Sequence, residues 1–315
     1  MRVLVTGADG FVGRYLTSHL LEQGHEVVGA RHPGGPPPLP GTPLRWVPLE
    51  LDDDESVRAA VDRPLDAVVH LAAIASGRDA RRDPGRAWTV NAAGTARLAE
   101  ALAARGGAGG PRLLLVSTGE VYGGAAPLAD GQPRPLREDD AVVPLSPYAA
   151  SKVGAEIAAQ EVARRTGLPL VTVRAFAHTG PGQAELYVVP AFAARLREAR
   201  RTGAAQVRTG NLDPVRDILD VRDVVRAYAA LLERGAPGET YNVASGEGIT
   251  LRELFARMTA VVGIHAEPAV DPALSRASDI PHLVGDAAKL RAATGWTPSL
   301  PLDRTLRDVV DAQEN

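Results

Sequence analysis

The first twenty-four residues constrain the fold more than any other stretch. Arg2-Val3-Leu4-Val5-Thr6 is a short apolar, β-branched run, the pattern of a buried strand. Gly7-Ala8-Asp9-Gly10-Phe11-Val12-Gly13 follows at once. Leu16, Leu20 and Leu21 then recur at helical spacing, and Gly24 ends the helix. Strand, glycine turn and helix together are the context that a dinucleotide-binding loop requires. The glycines let the backbone turn tightly and approach a pyrophosphate, while the N–H groups of the helix start face the phosphates. The spacing is Gly-x-x-Gly-x-x-Gly rather than Gly-x-Gly-x-x-Gly, and a glycine-rich turn without a ligand is the competing reading.

Further strands alternate with helices. Glu26 to Ala30 reads as a second strand, Leu44 to Leu49 as a third, Leu65 to Ala73 as a fourth and Arg112 to Val116 as a fifth. Between the second and third, His32 to Pro43 is dense in proline and glycine, an exposed loop. Asp83-Pro84 opens a long helix carrying Trp88, Asn91, Leu98 and Leu102. A sixth strand covers Leu170 to Val173, after which the alternation loosens. This order predicts an α/β chain with a doubly wound parallel sheet and a smaller C-terminal α/β part. The expected division is 1–174 with 212–240 for the nucleotide domain and 175–211 with 241–315 for the substrate domain. An acidic residue at the end of the second strand would bind the ribose 2′-hydroxyl of NAD(H). Arg31 stands there instead, and an arginine suits the 2′-phosphate of NADP(H), although a solvated loop arginine is the plain alternative. The acids of Glu50 to Glu55 read mostly as a solvated helix start, with Glu50 and Leu51 framing an adenine as the alternative.

A second informative stretch runs from Ser117 to Lys152. The fifth strand delivers Ser117 and Thr118 to its C-terminal edge, where open α/β sheets bind ligands. Ser146 is a good N-cap and Pro147 suits the first helical position, so Tyr148 and Lys152 fall one turn apart on one helix face. A free tyrosine, with a pKa near 10, is a poor acid or base at neutral pH. An ammonium about 4 Å away favours the phenolate by roughly 4 kcal/mol at an effective dielectric near 20. The expectation is therefore that Lys152 acidifies Tyr148, with the Thr118 hydroxyl bound to the same substrate oxygen. Taken alone, Tyr-x-x-x-Lys is short and common. Lys152, however, is one of only two lysines in a chain whose other basic side chains are arginine, which suggests that a compact ammonium matters there.

Composition narrows the alternatives. A net charge of −3 without a basic stripe argues against nucleic acid as a partner. The absence of cysteine excludes disulfides, zinc–thiolate sites and thiol nucleophiles, and no metal site is expected. No apolar run is long enough to span a bilayer, and a first strand at residue 2 leaves no room for a signal peptide, so a cytoplasmic protein is expected. Arg208, Arg216 and Arg276 sit at loop positions of the C-terminal third. Arginines converging on one pocket would clamp a diphosphate with bidentate bonds, and an exposed surface arginine is the plain reading of each.

These residues together resemble the extended short-chain dehydrogenase/reductases that act on nucleotide sugars, over essentially the whole chain. The resemblance rests on Thr6 to Gly13, His70 to Ala73, Asn91, Ser117 to Gly123, Tyr148 with Lys152, and Arg216-Asp217. Phe176 to Gln183, Gly210 to Asp217, Asp279-Ile280-Pro281, Gly285-Asp286 and Gly295-Trp296 look most like the GDP-4-dehydro-6-deoxy-D-mannose reductases. The resemblance implies a Rossmann domain, a nucleotide-diphosphate sugar substrate, catalysis by Thr118, Tyr148 and Lys152, and a homodimer built through two helices per subunit. It implies that Lys152 also bonds the nicotinamide ribose. Cofactor contacts are implied at Gly7, Asp9, Gly10, Phe11, Val12, Gly13, Arg31, Glu50, Leu51, Leu71, Ala72, Ala73, Ser117, Tyr148, Lys152 and Phe176. Substrate contacts are implied at Ser76, Thr118, His178, Val189, Arg208, Arg216 and Arg276. One departure stands out: Ala177 replaces the asparagine that usually precedes the histidine of the His-Thr-Gly-Pro-Gly-Gln stretch, so that amide contact is missing.

The function expected is reduction of a 4-keto, 6-deoxy nucleotide sugar at the expense of NADP(H) or NAD(H). Thr118-Gly119-Glu120 keeps an alternative open. Related dehydratases carry an acid/base glutamate in Thr-x-Glu, so Glu120 would suit a 4,6-dehydratase, decarboxylase or 4-epimerase with a recycled cofactor. Cofactor consumption separates the two. A cofactor-bound regulator without turnover is a third reading, against which the intact Thr118, Tyr148 and Lys152 set argues.

Overall fold

Alternate residues of the central strands feed opposite layers, as the period of a strand requires. The computed structural model describes residues 1–35, 44–123, 128–129, 132–274 and 280–312. Seven parallel strands form one sheet: β1 (Arg2–Thr6), β2 (Glu26–Arg31), β3 (Arg45–Pro48), β4 (Ala67–His70), β5 (Arg112–Thr118), β6 (Leu170–Ala175) and β7 (Thr240–Val243). Their order across the sheet is β3-β2-β1-β4-β5-β6-β7, so the winding reverses between β1 and β4. Ligands of doubly wound sheets bind at that reversal, outside the carboxyl ends of the strands.

Val3, Val5, Val69 and Leu114 enter the core beneath α1 (Phe11–Glu22), whereas Leu4, Val68, Leu113 and Leu115 enter the opposite one. The second layer holds α2 (Asp54–Val61), α3 (Gly94–Ala103) and α4 (Pro147–Thr166). Ser146 caps α4 by accepting the Ala149 N–H at 3.1 Å, Pro147 takes the first turn, and Gly167 closes the helix at φ 79°. The start is the one that the sequence pattern predicts. A third, separate apolar cluster lies in the C-terminal part, among α5 (Val188–Thr202), α7 (Leu251–Val262) and α8 (Leu302–Ala312). Between α5 and α7, α6 (Val221–Arg234) returns to pack beside α1.

Two local features differ from a plain strand-and-helix alternation. The helix that Asp83-Pro84 opens passes through a π-helical turn at Trp88–Ala93 before becoming α3. Asn91 sits in that turn, where π-bulges often mark functional sites. Its Oδ1 accepts the Ile74 N–H at 2.8 Å, and its Nδ2 donates to Ile74 O at 3.1 Å and to Ser151 Oγ at 2.9 Å. One amide thus ties the loop after β4 to the helix of Tyr148 and Lys152. The other feature is a 3-10 turn, Gly119–Tyr122, that follows β5 directly. Among the described residues no helix is long and apolar enough to cross a membrane.

Candidate active site

A cavity of about 770 Å³ opens at the carboxyl ends of β1, β4, β5 and β6 and runs on into the C-terminal part. Gly7, Asp9, Gly10, Phe11, Val12 and Gly13 form one wall. Gly7 has φ +66°, and a β-carbon on it would sit 3.0 Å from Ala72 N. A β-carbon on Gly13 would sit 2.2 Å from Gly7 O, so only glycine permits this packing of helix on turn. The N-cap of α1 is Gly10, no side chain bonds the first N–H groups, and the first turn holds no acid. An uncapped 12-residue helix opening on a cavity suits an anionic group such as a pyrophosphate. The chain therefore fits a dinucleotide at this wall. Ala30, Arg31, Glu50 and Leu51 continue it, and Glu50 also bonds His32 at 3.0 Å.

His70, at the end of β4, fixes the next part of the wall. Thr6 Oγ1 accepts the N–H groups of Leu71 and Ala72 at 3.1 and 3.0 Å, so its own proton goes to His70 Nδ1 at 2.8 Å. Thr95 Oγ1 donates to Asn91 O at 2.6 Å and so accepts from His70 Nε2–H at 3.2 Å. The imidazole is neutral in that tautomer. Burial first, and then the Lys152 charge, push its pKa down to about 3. Leu71, Ala72 and Ala73, all on the cavity wall, follow directly.

Thr118, Glu120, Tyr148 and Lys152 line the same cavity. The Thr118 hydroxyl accepts the Glu120 N–H at 3.2 Å and bonds the Tyr148 hydroxyl. The charge relations differ from those that the spacing predicts. Burial is the largest influence on Tyr148 and raises its pKa well above 10; the Glu120 carboxylate and the Tyr187 phenol raise it further, and the Thr118 bond opposes them. Lys152 acts electrostatically on His70 and Glu156. Its burial lowers its own pKa to about 8, against the raising effect of Glu156 one turn along α4. Tyr148 is thus a protonated phenol at neutral pH, and not one acidified by Lys152.

The structure brings most of the sequence-predicted residues to this one cavity, Ser117, Phe176, His178, Val189 and Arg216 among them. His178 Nδ1 bonds Phe176 O at 2.9 Å, and its ring stacks on Phe11 with centroids 6.5 Å apart. Arg216 donates to Val215 O and Ile280 O at 2.8 and 2.6 Å. The neighbouring Asp217 is fully buried and accepts from Ser245 N, Ser245 Oγ and Gly246 N at 2.9, 2.6 and 2.9 Å, which holds the Arg216 strand in place. Two predicted residues lie off the wall. Ser76 accepts the Asp79 N–H and caps a short helix, and Arg208 pairs with Asp271 on the outside. Arg195, four residues' worth of helix beyond Ala191 on the cavity face of α5, lines the wall instead. Arg276, Asp279 and the 36–43 part of the proline-rich loop lie outside the described residues. Tyr187, just before α5, and Arg195 and Tyr228 within helices also line the cavity, and nothing in their local sequence marks them out.

A family model for the NAD dependent epimerase/dehydratase family matches residues 3–244. The chain belongs to this family. Like other members it is an NAD(P)-dependent enzyme of the extended short-chain dehydrogenase/reductase type. It is 34% identical over 315 residues to the GDP-6-deoxy-D-mannose reductase of Pseudomonas aeruginosa, covering 100% of this chain and 97% of that one. The solved structure of RMD from Pseudomonas aeruginosa complexed with NADPH superposes with a TM-score of 0.83 at 32% identity, covering 99% of this chain and 98% of that one. The UDP-glucose 4-epimerase of Thermotoga maritima, solved with UDP-glucose, gives a TM-score of 0.87 at 28% identity, with 100% and 99% covered.

Proposed function

We propose that this family member reduces the 4-keto group of a nucleotide-diphosphate 6-deoxyhexose, with NADP(H) as the preferred cofactor, in the manner of a GDP-4-dehydro-6-deoxy-D-mannose reductase. The observation that carries the reading is one continuous cavity lined by the glycine loop, by Thr118 and Tyr148, and by Arg195 and Arg216. A bound nicotinamide cofactor supplies hydride. Thr118 and Tyr148 hold the substrate oxygen, and Tyr148 gives it a proton as negative charge develops. A phenol kept protonated by burial and by Glu120 is suited to donation, the role that reduction demands. Lys152 supplies a positive charge beside the reacting groups and, by the family resemblance, bonds the cofactor ribose. Arg195 and Arg216 face the substrate diphosphate, and Arg31 the 2′-phosphate. We place the nucleotide domain at 1–174 with 212–240 and the substrate domain in the remainder, and the working unit is a cytoplasmic homodimer.

Glu120 favours a second reading. It lines the cavity and acts on Tyr148, as an acid/base carboxylate of a 4,6-dehydratase would. The test is stoichiometric. Purified protein is given NADPH and a GDP-4-keto-6-deoxyhexose, and the nucleotide products are resolved by mass spectrometry. One NADPH oxidised per sugar reduced is expected. Sugar conversion without net NADPH loss would move the assignment to the epimerase or dehydratase side.

A further inference from the structure

Thr6, His70, Thr95, Asn91 and Ser151 are polar side chains, each no more than 1% exposed, and they form one chain of hydrogen bonds. The chain begins on the residue before Gly7 and ends on the residue before Lys152. Its direction is fixed. The Thr6 oxygen accepts the N–H groups of Leu71 and Ala72, which fill both lone pairs, so its own proton goes to His70 Nδ1. His70 must then donate from Nε2 to Thr95, whose proton goes to Asn91 O. The Asn91 amide donates on to Ser151 Oγ at 2.9 Å, and Ser151 donates to Tyr148 O at 2.8 Å. Every hydrogen along the path has an acceptor, the condition under which a buried polar network specifies one arrangement.

The two nitrogens of His70 therefore serve different parts of the site. Through Nδ1 and Thr6 the ring sets the backbone of Leu71 and Ala72, which Gly7 approaches so closely that a β-carbon there would sit 3.0 Å from Ala72 N. Through Nε2 and Thr95 it sets the π-helical turn, whose Asn91 holds both Ile74 and, at Ser151, α4. We propose that His70 is a positioning residue that fixes the glycine-turn wall, where the dinucleotide lies, relative to the helix that carries Tyr148 and Lys152. Hydride and proton reach one carbonyl group only if nicotinamide and phenol are both in place, and a misplacement of about 1 Å costs about 10² in rate. Burial and the Lys152 charge keep the ring neutral, so the direction of the chain does not reverse with pH. The proposal rests on the reading of this cavity as a site of hydride transfer to a sugar.

Two amides each mimic one ring nitrogen. His70→Asn keeps an oxygen near Nδ1 for the Thr6 proton but does not reach Thr95. His70→Gln reaches Thr95 but offers Thr6 nothing at the Nδ1 position. NADPH affinity is measured by calorimetry, and kcat by NADPH oxidation with a GDP-4-keto-6-deoxyhexose. For His70→Asn the expected result is a kcat about 10²-fold lower, with NADPH affinity close to wild type. For His70→Gln it is about tenfold weaker NADPH binding, the size of one lost hydrogen bond, with kcat at saturating NADPH close to wild type. Thr95→Val is expected to follow His70→Asn, and Thr95→Ser, which keeps the hydroxyl, to restore most of the rate. That pair decides the matter if the His70 variants do not fold. Equal losses of affinity and rate in both amides, the pattern of general loosening, overturn the proposal, and so does wild-type kcat in Thr95→Val. A wild type that binds NADPH but leaves this sugar unreduced sinks the substrate assignment alone. The NADPH affinity of His70→Gln then decides, and a value equal to wild type overturns the proposal.

Discussion

Tyr148 and Lys152 show how far a residue's chemistry depends on what surrounds it. Their spacing on α4 follows from helix geometry, but their proton affinities come from burial and from Glu120, Tyr187 and Glu156. Tyr148→Phe is expected to lower kcat by about 10³, within the usual range for a lost general acid, while cofactor affinity measured by titration changes little. Near-normal turnover would remove Tyr148 from its role. Lys152 gives a prediction about pH. Its folded pKa of about 8 lies below the unfolded value of 10.5, so the unfolded chain binds the proton more tightly between those values. Stability of the cofactor-free protein therefore rises with pH from about 8 towards 10. The gain is on the order of 2–3 kcal/mol, before the raised tyrosines begin to oppose it. Denaturant titrations of wild type and Lys152→Met at pH 7, 8, 9 and 10 check this, and the variant is expected to lack the rise.

At the scale of elements, α4, the helix of Tyr148 and Lys152, is held by a buried polar network. Glu156 on α4 pairs with Arg174 on β6 at 2.9 Å, and both are nearly inaccessible to solvent. Arg174 also donates to the Tyr122 hydroxyl at 3.0 Å, and that hydroxyl donates to Asn242 Oδ1 at 2.8 Å on β7. The network therefore links α4 to the turn after Thr118 and to two strands. Such a pair is not strongly stabilising as a whole, because both charges leave water, but removing one partner strands the other. Glu156→Ala is expected to cost about 3–5 kcal/mol in chemical denaturation. Arg174→Met combined with Glu156→Leu should recover much of that loss, and a single variant as stable as wild type would contradict the account. The sequence displays the helix and both strands but not this network. An ion pair between residues 156 and 174 has no local signature, and neither does the capture of Asn91 by Ile74 and Ser151.

For the whole molecule, the open matter is how copies associate. Trp88 is 47% exposed and Ile157 63%, large apolar side chains on neighbouring helices. Gly154, three residues before Ile157 on α4, lies under the Trp88 ring, where a β-carbon would come within 2.5 Å. The two side chains thus share one surface, which suits the proposed dimer through two helices per subunit. Ile157→Glu is expected to shift the species from dimer to monomer in sedimentation equilibrium. A wild type that sediments as a monomer would end the proposal.

The amino-acid order alone determined the parallel sheet, the glycine turn that leads into α1, the capped start of α4, and the placing of Thr118, Tyr148 and Lys152 at one edge. Those features arise from strand period, helix pitch, capping and turn chemistry, which act between residues a few positions apart. Tertiary structure alone decided that Tyr148 stays protonated, that Arg195 and not Arg208 faces the cavity, and that Ser76 caps a helix. Desolvation and through-space charge depend on which distant segments are packed together, and no local pattern carries that information.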